Sequence, residues 1–257
     1  MSFDYKEKFS VAGKCCIVTG GAQGLSRGMA EALLENECKV VLMDVQKEKL
    51  EKVVAEYRKL GYDAYSVVGN LTDRKDIDRM FDEAMDILGN RLDVLIPAAG
   101  IQRRHLPEEF PIEEWDLVLS INLNHVFFMC QKALRVMLKQ PEGGKIINIA
   151  SMVSWFGGTT VPAYTASKGA VTQLTKSLAV DCAGRNININ ALAPGYMDTE
   201  MCKNMMQARK DECTLRIPAG RWGTPEDMKG PVLFLASNAS DYLNGAIIPV
   251  DGGYLVK

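Results

Sequence analysis

Tyr164 and Lys168 stand four residues apart in Val161-Pro162-Ala163-Tyr164-Thr165-Ala166-Ser167-Lys168, within a stretch of helical spacing, so they share one helix face. A free tyrosine, with a pKa of about 10, is a poor proton donor or acceptor at neutral pH. An ammonium one turn away stabilises the phenolate and brings that pKa down. Such a pair suits proton transfer to or from a hydroxyl group. Tyr-x-x-x-Lys also arises by chance on solvated helix faces, so neighbouring residues have to decide. Ser151 closes the apolar run at 145–150, and its hydroxyl can orient a carbonyl oxygen toward Tyr164. Asn122 lies in the long helical stretch before that run, where it either faces solvent or joins the same chemistry.

A second group points to phosphate binding. Thr19-Gly20-Gly21-Ala22-Gln23-Gly24-Leu25-Ser26 joins an apolar run to a helical one. Glycines there are either a plain tight turn or a way to bring backbone close to a pyrophosphate, held by the N–H groups and positive dipole of the next helix. Asp44 ends the second apolar run, 20 residues past Gly24. An acid at that place accepts hydrogen bonds from both hydroxyls of an adenosine ribose and repels a 2′-phosphate. No arginine flanks it, so a dinucleotide bound here is expected to be NAD rather than NADP.

The elements that must position these residues alternate between strand and helix. Short apolar runs predict strands at 14–19, 39–43, 64–68, 94–98, 145–150, 186–193 and 246–250. Helical spacing predicts helices opening near Gly24 and spanning 48–60, 76–88, 112–138, 161–183 and 225–236. The polar, Met-rich stretch at 197–211 carries no clear period. About seven strands alternating with helices imply an α/β fold, a Rossmann-type doubly wound parallel sheet in a single domain over 1–257. Right-handed crossovers then bring every strand's C-terminal end to one edge, where ligands bind.

Composition excludes several alternatives. With 257 residues, 47% hydrophobic and 24% charged, the chain is too apolar to be disordered. A net charge of −2 provides no positive field for nucleic acid. No apolar run reaches the ~18–20 residues of a membrane span, and the first residues are too polar for a secretory signal. Seven cysteines without a Cys-x-x-Cys pair read as small buried thiols in a reducing compartment, so a cytoplasmic protein is expected. His105 and His125 are the two histidines, and no metal-ligand spacing is present.

Thr-Gly-x-x-x-Gly after the first strand, Asn122, Ser151, Tyr164-x-x-x-Lys168 and Pro194-Gly195 together resemble the short-chain dehydrogenase/reductase family, from about Phe9 to Lys257. The resemblance implies a nicotinamide cofactor, Tyr164 as acid/base, Lys168 lowering its pKa and bonding the nicotinamide ribose, and Ser151 holding the reacting oxygen. It implies that Asn122 anchors a water linking Lys168 to solvent. Cofactor contacts are then expected from Gly20, Gln23, Gly24, Leu25, Ser26, Asp44, Asn70, Leu71, Ala98, Gly100, Tyr164, Lys168, Pro194, Gly195, Met197 and Thr199. Three positions depart from the family pattern. Ser26 replaces the third glycine, where it either bonds a phosphate or weakens binding. Pro97-Ala98 replaces a pair of asparagines, which leaves the support of the central sheet open. Asn70 replaces an acid, and its carbonyl can still accept the adenine amino group.

Other stretches resemble the sugar-acid branch of the family, of gluconate 5-dehydrogenase and 2-deoxy-D-gluconate 3-dehydrogenase type. They are 99–105, 149–154, 161–168, 216–223 and 239–245. The small-molecule substrate is expected against Gln102, Arg103, Arg104, Met152 and Tyr196. An arginine fork suits a carboxylate, although either arginine can instead be solvated or pair with Glu108, Glu109 or Glu113. Trp155 and Phe156 either favour an apolar substrate or pack on a mobile lid at about 196–215. A polyol or hydroxysteroid dehydrogenase and a non-catalytic dinucleotide sensor are the competing readings. The apolar excess of the helices at 112–138 and 161–183, with the family's habit of pairing them between subunits, predicts a homotetramer or homodimer.

Overall fold

The computed structural model describes residues 4–200 and 206–257. Its strands are β1 (Cys15–Thr19), β2 (Lys39–Asp44), β3 (Ala64–Val68), β4 (Val94–Ile96), β5 (Gly144–Ile149), β6 (Ile187–Pro194) and β7 (Ile247–Val250). They form one seven-stranded sheet in the order β3-β2-β1-β4-β5-β6-β7, and every pair is parallel. The helices are α1 (Tyr5–Phe9), α2 (Gly24–Glu35), α3 (Lys47–Lys59), α4 (Arg74–Leu88), α5 (Ile112–Leu119), α6 (His125–Met137), α7 (Pro162–Cys182), α8 (Gln207–Leu215) and α9 (Lys229–Ala236).

Alternation along the central strands explains the layering. Cys16, Val18, Val40 and Leu42 face one core with residues of α2, α3 and α9. Cys15, Ile17, Val41 and Met43 face the other, with residues of α4, α6 and α7. A strand buried on both faces needs apolar residues throughout, which is why these runs show no polar alternation. β5 and β6 depart in composition, since their buried residues include Lys145 and Asn148, and Asn188 and Asn190. The two asparagines of β6 hold the segment before β7. Both amides are satisfied. Asn190 donates to the Leu243 carbonyl and accepts from the Ala246 N–H, and Asn188 donates to the Asp241 and Leu243 carbonyls.

The chain winds outward in opposite directions from β1 and β4, so their carboxyl ends part and leave a crevice between them. The structure differs from the sequence expectation in several places, among them the following three. β4 stops at Ile96, because Pro97 lacks the N–H a further ladder bond requires. The helix expected over 112–138 is interrupted by a π-turn at Ser120–Asn124. α8 begins within the Met-rich stretch and runs on to Leu215, and its short amphipathic character gave little periodic signal.

Candidate active site

A cavity of about 860 Å³ opens at the C-terminal edge of the sheet, over the crevice between β1 and β4. Ser151 follows β5 directly, and its Oγ accepts from the Val153 N–H as it caps a short turn at Met152–Ser154. Pro162 opens α7 at a first-turn position where its missing N–H costs no helical bond. This start puts Tyr164 in the first turn and Lys168 one turn further in. The Lys168 ammonium is buried, donates to the Ile149 carbonyl at 2.7 Å and lies 5.7 Å from the centre of the Tyr164 ring. Burial pushes its pKa down to about 8. Ser151, Tyr164 and Lys168 all line the cavity.

Asn122 stands behind the wall of the cavity and is fully buried. Its Oδ1 accepts from the Ile101 N–H and its Nδ2 donates to the Ile101 carbonyl, both at 2.9 Å. The same Nδ2 donates to Ser167 Oγ at 3.2 Å, and Ser167 donates to the Tyr164 carbonyl at 2.7 Å. Gly100 is where these groups converge: a Cβ there would lie 3.4 Å from Asn122 Oδ1 and 3.9 Å from Lys168 Nζ. The π-turn explains how a helix can present Asn122 this way. One extra residue in the turn swings the amide out of the helical register toward the backbone of Ile101.

His125 is a site residue that the sequence reading missed. It is fully buried, and desolvation drives its pKa down to about 4, so the ring is neutral at physiological pH. Its Nδ1 sits against the Ile121 carbonyl, which can only accept, so Nδ1 carries the proton. Nε2 must therefore accept from the Thr19 hydroxyl, 3.2 Å away. Thr19 Oγ1 in turn accepts from the Ala99 N–H at 3.0 Å. This relay ties the end of β1, the Pro97–Gly100 segment and the π-turn together. The support that Pro97-Ala98 does not provide through side-chain amides comes from Thr19 and His125.

The glycine-rich turn has the shape a dinucleotide requires. Gly20 has φ +73°, and a Cβ on it would come within 2.9 Å of Ala99 Cα, so no other residue fits. Gly24 opens α2 with free space around it, and Gln23 at the N-cap makes no side-chain hydrogen bond to the helix. The first-turn N–H groups of α2 are thus left for an anion. Ser26 Oγ points back toward the Ala98 carbonyl at 3.4 Å, so it closes the turn onto the sheet. Asp44 accepts from the Ala22 N–H and the Gln46 N–H, which fixes its carboxylate at the cavity rim. Asn70 spends its carbonyl on the N–H and hydroxyl of Thr72, so its free amide hydrogens are what face outward. Leu71, Ala98, Gly100, Pro194, Gly195, Met197 and Thr199 complete this wall.

The substrate-side expectations divide. Gln102, Arg104, Met152 and Tyr196 line the cavity, and Arg103 does not. Arg103 lies 3.7 Å from Glu114 and donates to the Gln102 carbonyl. An acid in the first turn of α5 therefore takes the guanidinium away from the cavity, which corrects its expected role at the substrate. Arg104 donates to the Thr159 carbonyl and Thr160 Oγ1 at the rim. Phe156 packs on Tyr254, with ring centres 5.7 Å apart, and lines the cavity with it. Of the expected lid, residues 201–205 lie outside the described residues. Sequence reasoning also missed Arg216 and Tyr254 as cavity residues: Arg216 opens the 216–223 stretch that resembles the sugar-acid branch but was given no part in the site, and Tyr254 matched no motif.

The chain was compared with known proteins. A family model described as enoyl-(acyl carrier protein) reductase matches residues 20–255. The 2-dehydro-3-deoxy-D-gluconate 5-dehydrogenase of Dickeya dadantii is 45% identical over 253 residues, 97% of this chain and 98% of that protein. The 5-keto-D-gluconate 5-reductase of Escherichia coli K12 is 40% identical over 250 residues, 96% of this chain and 98% of that one. A gluconate 5-dehydrogenase from Burkholderia cenocepacia, solved with NADP and tartrate, superposes with a TM-score of 0.93 at 34% identity, covering 99% of this chain and 100% of its own. With the sheet order, the glycine-rich turn and the Ser151, Tyr164 and Lys168 cluster in place, the chain belongs to the short-chain dehydrogenase/reductase family.

Proposed function

We propose that this protein is an NAD-dependent oxidoreductase that interconverts a secondary alcohol and a ketone on a sugar acid of gluconate or deoxy-ketogluconate type. The observation that carries this reading is that Ser151, Tyr164 and Lys168 share one cavity with the uncapped start of α2 and with Asp44. The substrate class is supported by the relatives named for gluconates. A nicotinamide dinucleotide, when bound, supplies the hydride acceptor. Gly20, Gly24 and the first turn of α2 would hold its pyrophosphate, and Asp44 its adenosine ribose.

In the oxidative direction Tyr164 takes the proton of the substrate hydroxyl, and Ser151 holds the same oxygen by hydrogen bonding. The Lys168 ammonium stabilises the phenolate and keeps its place through the Ile149 carbonyl. Asn122, with one Oδ1 lone pair beyond its bond to Ile101, holds a water that returns the proton to solvent. Tyr196, Met197, Thr199 and the segment to 215 act as a lid. The protein is a single cytoplasmic domain that works as a homotetramer.

An absorbance assay at 340 nm with NAD and NADP side by side, over sugar acids and the matching neutral polyols, tests the reading. NADH formation with a sugar acid is expected. Turnover of polyols alone, or no turnover despite tight NADH binding, overturns it. A second reading, use of NADP, is favoured by one observation. The Lys49 ammonium bonds Gln23 Oε1 at the same rim as Asp44, where it can neutralise a 2′-phosphate. Faster turnover with NADP would decide for it.

A further inference from the structure

Four cationic side chains among the described residues line the cavity, and three are already engaged. Lys168 donates to the Ile149 carbonyl, Arg209 pairs with Glu212, and Arg104 donates to Thr159 and Thr160. Arg216 is the fourth. It follows α8, and no oxygen among the described residues accepts from its guanidinium. Its guanidinium carbon lies 5.0 Å over the ring of Tyr254.

That ring is fixed. Tyr254 is buried, with Tyr196 edge-on at 5.4 Å and Phe156 at 5.7 Å. Tyr254 belongs to the same apolar cluster on which Tyr164 packs. The aromatic platform therefore places Arg216 at the Tyr164 end of the cavity, away from Asp44 and Asn70. A cation–π contact of this kind uses none of the guanidinium N–H groups as donors to the ring, and two of them can give a carboxylate parallel hydrogen bonds.

We propose that Arg216 binds the carboxylate of the substrate, with Arg104 adding charge to the same cavity, and so selects acids over neutral polyols. The inference rests on the sugar-acid reading above and gives that reading its charge-recognising residue. It also gives Arg216 the leading part in a task that the sequence pattern had pointed to Arg103 and Arg104 for. An arginine whose guanidinium carbon sits over a ring and whose N–H groups meet no acceptor among the described residues has the donors for it, whereas the Arg103 guanidinium already faces Glu114.

The test uses the full chain and steady-state kinetics with D-gluconate, 5-keto-D-gluconate, 2-dehydro-3-deoxy-D-gluconate and D-glucitol. Arg216→Met is expected to raise KM for the sugar acid that is turned over ~10–100-fold, the loss of a charge-assisted pair, with kcat changed far less. NADH affinity, followed by fluorescence, stays within about twofold and shows that the variant is folded. Arg216→Lys recovers part of the KM, since it restores charge without the fork. A wild-type enzyme active on a sugar acid whose KM is unmoved by Arg216→Met overturns this inference alone. A wild-type enzyme active only on D-glucitol overturns the sugar-acid reading itself.

Discussion

Burial decides the charge of two residues beside the reacting centre, with opposite consequences. Lys168, with its pKa pushed down to about 8, keeps most of its ammonium at neutral pH and loses it above that value. His125, pushed down to about 4, is neutral in the folded protein and charged below about 6.5 in the unfolded chain. The unfolded state therefore binds more protons between those values, so the stability His125 allows is complete above about 6.5 and is lost as pH falls toward 4. The shift corresponds to about 3 kcal/mol. Thermal melts from pH 7 to 4 should show wild type losing this amount relative to His125→Asn, and parallel curves would refute it. Tyr164, Lys168 and Ser151 were legible in the sequence because their types and spacing already specify proton transfer. His125, Ser167 and Arg216 were not, because their roles depend on partners that come together only in the fold. A histidine on an apolar helical stretch close after Asn122 was the available hint.

The π-turn between α5 and α6 shows where reading at the level of elements fails. Apolar spacing over 112–138 is continuous, and a single inserted residue barely disturbs it. What breaks the helix is the pair of hydrogen bonds between Asn122 and Ile101, a contact of tertiary structure. The strands, in contrast, were readable almost to the residue, since fully buried parallel strands need unbroken apolar runs. Asn122→Ala removes both bonds and leaves the backbone groups of Ile101 unpaired beside Gly100. It should lower kcat/KM ~10–100-fold with a smaller effect on NADH affinity, and Asn122→Asp, which keeps the acceptor alone, should fall between. Equal losses in NADH binding and turnover would show instead that the turn matters only for the fold.

At the scale of the whole molecule, the outer faces of α5, α6 and α7 expose Ile112, Phe127 and Val180. One sheet cannot bury them, and a second copy of the chain can. Light scattering at micromolar concentration should give four times the mass of one chain, and a mass of 28.3 kDa would exclude any oligomer. The asparagines of β6 act at this scale as well. β7 is short and only partly buried, so its apolar face specifies its alignment weakly. A slip of two residues would keep every side chain on its proper face but strand the amide of Asn190, at ~1–3 kcal/mol for each unmet group. The last strand is thus added like a key that turns in one position. Its correct seating is read out at the far end, where Gly195 donates to the Val250 carbonyl and leaves no room for a Cβ against Asp251. The wall expected to meet the nicotinamide is therefore finished only when the final strand has been aligned, and a chain with a misaligned β7 would keep its sheet but lack that wall.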